Sequence, residues 1–423
     1  MAIVIANMIG TGVFTSLGFQ LVDIQSVPVL LLLWFIGGII ALCGALCYAE
    51  LGAALPRSGG EYHYVGTLFH PSLGFVSGWI SSTIGFAAPT ALVAMTFGIY
   101  LQTALPDISP KWAGVLLVIF ASLAHVWNRQ ASGRVQVVFT TLKVLVILVF
   151  TVLAVTLVES PEPFSFRPAP GDGSLILGSA FAISLIYVNY AYTGWNAATY
   201  IAGEMAAPAK HLPVVLAAGT FIVMMLYVAL NAVFLYVSPM SDMVGKVEIG
   251  FIAATAVFGQ AGGELMSILL AVLLVSTVSA MMLAGPRVLK AIGDDYPVLR
   301  VLGRVNRHDV PVIAVLAQGG LAVALILTGT FESVLVFTGF TLSLNTLVTV
   351  LGVFVLRRRQ DPSTFSFRIP AWPWPPLIFL ALTGWALVYT LIERPIEGLL
   401  GLGIVLTGLL LWKLGQHNSK QKV

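Results

Sequence analysis

Asn189, Tyr190, Thr193, Gly194 and Asn196 crowd the stretch Tyr187-Val-Asn-Tyr-Ala-Tyr-Thr-Gly-Trp-Asn196, which lies inside a long apolar run. In hydrocarbon, polar side chains and irregular backbone are tolerated where they are buried in protein or line a cavity. A second interruption stands near the start, at Ile9-Gly-Thr-Gly-Val13. Two glycines around one threonine can unwind a helix and free its amide N–H groups. The half-helix that follows presents its positive dipole end there, a seat for a carboxylate at Gly10, Thr11 and Gly12. Taken alone, the same residues read better as close small-residue packing. At the other break, carbonyls at the end of a half-helix carry partial negative charge and suit an ammonium group. Tyr190 either closes over that group or packs as an ordinary aromatic. A carboxylate cradle and an ammonium cradle together make the recognition chemistry of an α-amino acid. Interrupted helices in both halves of a chain are also the sequence pointer to a transport site.

Lys143 falls about eight residues into another apolar run. A charge at that depth is costly, so it reads as a proton carrier or a fixed stand-in for a bound cation, against a lysine that snorkels to the interface. Ser276, Thr277 and Ser279 sit mid-run. They either bond back to their own helix or line an ion or lysine site. Gly74 and Gly78 read as a small-residue packing pair.

The elements that position these residues are membrane helices. The chain is 58% hydrophobic and 9% charged, with a net charge of +3, and its mean hydropathy is +0.96. A soluble protein carries about 25% charged residues. An all-α polytopic membrane protein is expected, with twelve spans at 1–20, 28–54, 74–104, 112–127, 135–158, 174–203, 212–237, 263–292, 311–330, 332–356, 375–392 and 396–414. Of the 21 Lys and Arg, Lys111, Arg167, Lys246 and Arg394 fall on one side of such a bundle and Lys143 inside it. The other sixteen, among them Arg57, Arg129, Arg134, Arg357, Lys420 and Lys422, fall on the opposite loops and the C-terminal tail. The positive-inside rule places that side, with the C-terminus, in the cytoplasm of a bacterial-type inner membrane. The segment before Gly10 rises only about 13 Å, half a bilayer core, and reads as a truncated or mis-called start. Pro161–Gly173 is expected to be a short external loop, and Met240–Gly262 a longer one with a helix-like stretch between two glycine turns, either a gate or a connector.

Basic residues form no stripe for nucleic acid. No HExxH, GxSxG or Walker A motif is present, the six His are scattered, and no metal site, cofactor or enzymatic activity is expected. Spans 3, 6, 8 and 10 carry no Asp or Glu at mid-depth, which points to neutral substrates. Cys43 and Cys47 read as buried thiols on one helix face.

Asn7-Met-Ile-Gly-Thr-Gly-Val-Phe14, Ala49-Glu-Leu-Gly-Ala-Ala-Leu-Pro-Arg-Ser-Gly-Gly-Glu-Tyr62, Tyr190-Ala-Tyr-Thr-Gly-Trp-Asn196 with Glu204 and Pro208, and Gly285-Pro-Arg287 resemble the amino acid–polyamine–organocation transporters, in particular the L-type amino acid transporter branch. The resemblance covers about residues 2–360. It implies the leucine-transporter fold, with inverted five-helix repeats over 1–158 and 174–356, two further helices over 375–414, and alternating access around a midplane site. It implies that backbone at Gly10, Thr11 and Gly12 holds the substrate carboxylate and that carbonyls near Met8, Tyr190 and Thr193 hold the amino group. Gly194 is among the substrate-binding residues, Tyr190 stands at the aromatic gate position and Asn196 is a polar residue near the substrate. Lys143 matches the lysine that takes the place of sodium in sodium-dependent relatives, with Ser276, Thr277 and Ser279 around that cation site. Thr338 and Ser343 replace large aromatics of the L-type branch, and no external cysteine is available for a heavy-chain partner. The expected activity is secondary active transport of neutral amino acids across the lipid bilayer without sodium, by exchange or with protons. The alternatives are a transporter-like sensor, for which the tail is short, and a cationic amino acid or polyamine permease.

Overall fold

The computed structural model describes residues 1–127, 133–205, 207–361 and 365–420. Arg129 and Lys422 lie outside the described residues, as do the side chains of Arg134, Glu204 and Lys420.

Helix boundaries follow the local chemistry. The first span is two half-helices, α1 (Ala2–Met8) and α2 (Gly12–Gln20), parted at Ile9, whose ψ of 85° leaves the helical region. α3 (Val27–Ala54) starts with a proline in its first turn, where the missing N–H does no harm. α4 (Glu61–Leu68) and α5 (Pro71–Ile80) follow, and a π-helical turn at Ser81–Gly85 joins α5 to α6 (Ala87–Ala104). The expected span 74–104 is therefore not one regular helix. α7 (Pro110–Trp127), α8 (Gly133–Leu157) and α9 (Asp172–Leu177) lead to α10 (Ser179–Tyr192), after which the chain unwinds and continues as a 3₁₀ segment, Ala197–Glu204. α11 (Pro208–Val237), α12 (Met240–Met243) and α13 (Ile249–Asp295) come next. The last helices are α14 (Val312–Thr328), α15 (Phe331–Arg359), α16 (Trp374–Glu393) and α17 (Pro395–Lys420).

α13 breaks at Gly259 (φ 71°, ψ −178°). Residues 249–258 thus form a short helix between Gly245 (φ 69°) and Gly259, the arrangement expected of the 240–262 connection.

The chain is an all-α polytopic membrane protein. Among the described residues eight helices are long and apolar enough to span, and Pro110–Val126 and Val312–Thr328 are shorter apolar helices. α3 packs along α11, and α6 along α13. Leucines and valines of α8 and α17, such as Leu145, Val152, Leu399 and Leu406, face outward as a lipid-contacting belt.

One ion pair is buried in this bundle. Glu50 on α3 is fully buried and accepts two hydrogen bonds from Arg357 on α15, each 2.6 Å, and one from the Ile369 amide at 2.7 Å. The Arg357 guanidinium lies 3.8 Å from the Trp372 ring centroid. Of the arginine triplet that ends α15, Arg357 therefore turns inward while Arg358 stays exposed. Glu50→Ala would strand Arg357 and is expected to cost about 3–5 kcal/mol, against at most about 0.5 kcal/mol for Arg358→Ala. Thermal unfolding of the detergent-solubilised variants measures this, and equal melting temperatures would refute the structural role of the pair.

Candidate functional site

α1 ends where Gly10 doubles back. Its amide donates to the Met8 carbonyl at 2.8 Å, and the Tyr227 hydroxyl donates to the same oxygen at 2.5 Å. Both lone pairs of that carbonyl are thus used within the protein, so Met8, although in the cavity wall, does not offer its carbonyl to an amino group as expected. α2 restarts at Gly12; its Phe14 amide donates to the Thr11 carbonyl at 2.9 Å, so only the amides before Phe14 precede the first helical acceptor. Thr11 is 1% exposed, and its hydroxyl has no partner among the described residues.

On the facing chain, α10 stops at Tyr192. Thr193 is extended (φ −51°, ψ 140°) and Gly194 takes φ +105°, a conformation glycine adopts without strain. The Thr193 hydroxyl and amide occupy the Asn189 and Tyr190 carbonyls. Ala191 and Tyr192, the last residues of the half-helix, stand beside them in the cavity wall.

The two breaks touch. A Cβ on Gly194 would stand 2.7 Å from the Asn7 carbonyl carbon, and one on Gly12 would stand 2.4 Å from the Ala191 Cα. Gly12 is thus a helix-contact glycine as well as a wall residue. Behind them Trp34, Tyr192 and Tyr227 form an aromatic backing, with ring centroids 5.1–6.1 Å apart.

A cavity of about 440 Å³ opens at this junction, within the usual size range of ligand sites. Met8, Gly10, Thr11, Gly12, Tyr190, Thr193, Gly194 and Asn196 all line it. Lys143, Ser276, Thr277 and Ser279 do not. Lys143 is 5% exposed and donates to the Thr277 hydroxyl at 2.7 Å, so its ammonium does not snorkel to the interface. Ser276 bonds back to the Leu273 carbonyl, and Ser279 pairs with His125 on α7 at 3.0 Å. The structure thus brings Thr277 to the lysine and gives the two serines other partners.

Asn196 lines the cavity and is also engaged within the protein. Its amide donates to the Glu61 carboxyl, which also accepts from Tyr48 at 3.2 Å. Glu61 is 2% exposed and lines the same cavity, so an acid is present although the spans carry none there. It arrives from the loop after α3, which turns back through Gly59 (φ +132°) and Gly60 (φ +57°). That glycine pair was the available signal. The π turn Ser81–Gly85, with Phe86, also enters the wall, as do Arg287 on α13 and Ser343 and Asn345 on α15. Thr338 is fully buried and bonds to its own helix.

The cavity reaches half-buried Ser58 and exposed Arg287 at one end. There Arg57 holds Asp295 at 3.0 Å, joined by Tyr62. At the opposite ends of the helices Phe19 stacks on Phe331, with centroids 5.7 Å apart, and Tyr187 and Arg394 both donate to Glu332, at 2.8 and 2.6 Å.

A polytopic bundle with two broken helices meeting at a central cavity defines a membrane carrier for a small zwitterion. The profile of a family described as amino acid permease matches residues 1–397, and the chain belongs to that family. It is a transporter of amino acids and not an enzyme. It is similar to Large neutral amino acids transporter small subunit 2 of Homo sapiens, 28% identical over 99% of this chain and 80% of the relative. It is also similar to Asc-type amino acid transporter 1 of Mus musculus, 29% identical over 98% and 79%, and to Serine/threonine exchanger SteT of Bacillus subtilis, 27% identical over 97% and 93%.

Gly12→Val would wedge α2 from α10 and is expected to weaken amino acid binding by about tenfold or more, roughly 1.4 kcal/mol. Gly10→Ala meets nothing nearer than 4.0 Å and should melt like the parent. Ligand-induced thermal shifts compare the two, and equal behaviour would reject the packing constraint at Gly12.

Proposed function

We propose that the chain carries neutral amino acids across the cytoplasmic membrane by alternating access, without sodium, and by obligatory exchange. The observation that carries this reading is the shared cavity. The start of α2 at Gly12 with the unpartnered Thr11 hydroxyl, and the end of α10 at Ala191 and Tyr192, line it together. The first suits a carboxylate and the second an ammonium. Gly10, Thr11 and Gly12 then hold the carboxylate, and Tyr190, Thr193 and Gly194 frame the amino group.

Neutrality of the side chain is supported by Glu61, whose Oε1 is already engaged by Asn196 and Tyr48, and by the names of the relatives, which speak of neutral amino acids, serine and threonine. Lys143, buried against Thr277, would serve as a fixed positive charge between α8 and α13 in the place of a bound cation. The packing of α3 on α11 and of α6 on α13 joins the second span to the seventh and the third to the eighth. Those are equivalent positions in repeats over 1–158 and 174–356, with 375–414 appended as two further spans of twelve. The basic loops and the tail lie in the cytoplasm. Cys43 and Cys47 are both buried in α3, so no thiol is offered to a heavy-chain subunit.

Uptake of labelled alanine or serine into proteoliposomes, empty against preloaded with unlabelled amino acid, tests this reading. Uptake confined to preloaded vesicles is expected, and equal entry into empty ones would replace exchange by uniport or proton symport. Binding without flux would make the chain a sensor. Lys143→Ala should fold yet lose most of its flux, and parental kinetics would remove the fixed-cation role.

A further inference from the structure

Glu61 begins α4, outside the spanning helices, yet its carboxyl is buried. One oxygen, Oε1, accepts from the Asn196 amide and from the Tyr48 hydroxyl. The other, Oε2, is buried with no partner among the described residues. The ion pairs found among the described residues do not include Glu61. The titratable groups facing it are tyrosines: Tyr48 on α3, Tyr200 on the 3₁₀ segment and Tyr64 on α4 itself. Arg287 on α13 lines the same cavity.

An ionised carboxylate in this setting would leave one charged oxygen dry and unpaired, a costly arrangement. A carboxylic acid would not, since its Oε1 still accepts both hydrogen bonds and its Oε2 carries the proton. Burial accordingly pushes the Glu61 carboxyl above the usual carboxylate range, while its own backbone amide, the nearby Tyr200 hydroxyl, which makes no hydrogen bond to Oε2, and the bonds from Tyr48 and Asn196 pull the other way.

Asn196 lies two residues beyond Gly194, the positive-φ residue at the α10 break. Any rotation of the chain about that residue moves the amide that caps Glu61. The proton on Glu61 and the geometry of the break are therefore linked, and each must change the other's free energy equally.

We propose that Glu61 is a proton-binding site of the carrier: it holds a proton while Asn196 and Tyr48 cap it, as in this structure, and releases that proton to cavity water when the 193–203 segment swings away. This rests on the carrier reading above and deepens it by naming the group that makes transport pH-sensitive. Nothing but the proton is exchanged. It leaves Oε2 for water, and the carboxylate left behind is solvated until the segment returns.

The test is alanine counterflow in proteoliposomes of the full chain, with equal pH on both faces, across roughly pH 5 to pH 8. The parent should show a titrating rate. Glu61→Gln, a fixed mimic of the protonated acid, should lose that dependence. Tyr48→Phe removes a donor that favours the charged form, so its midpoint should move to higher pH. A Glu61→Gln curve that follows the parent, or a parent rate independent of pH, overturns the proposal. Where Glu61→Gln fails to fold, an unmoved midpoint in Tyr48→Phe overturns it equally. A parent that binds alanine but shows no counterflow at any pH overturns the carrier reading itself.

Discussion

In hydrocarbon a peptide group without a hydrogen-bond partner costs several kcal/mol, and two spans of this chain are cut open at the level of the cavity. Everything around the cavity answers that constraint. The Met8 carbonyl is taken up by Tyr227 and by the Gly10 amide, and the Asn189 and Tyr190 carbonyls by Thr193. Among the described residues lining the cavity, the Thr11 hydroxyl and the Glu61 Oε2 remain buried without a partner.

Much of this was legible in the residues. Thr-Gly and Gly-Thr-Gly inside apolar runs mark breaks because few other residues both tolerate unwinding and belong in a bundle interior. The eight site residues reach one wall because the break places them there. The helical character of 249–258 between Gly245 and Gly259 follows from the same punctuation.

Other features left weaker traces. Glu61 sits in a loop by any hydropathy reading, and only the backbone turn at Gly59-Gly60 brings it under the cavity. The π turn at Ser81–Gly85 lies in a run of Ser, Thr, Ile and Gly that an ordinary helix also accepts. Arg357 and Arg358 are indistinguishable as neighbours in a basic triplet, yet one is half-buried against Glu50 and the other exposed. Ser276 and Ser279 differ from Thr277 only by helical phase, which a span boundary uncertain by several residues cannot fix. In each case tertiary contact, rather than local composition, decided the outcome.

The two ends of the cavity are fastened differently from its frame. Glu50–Arg357 is dry, whereas the partners in Arg394–Glu332 are 38% and 33% exposed and those in Arg57–Asp295 are 60% and 31% exposed. Pairs wetted to that degree contribute about 0–1 kcal/mol. Separating either wetted pair therefore forfeits little, whereas parting α3 from α15 would strand a dry one.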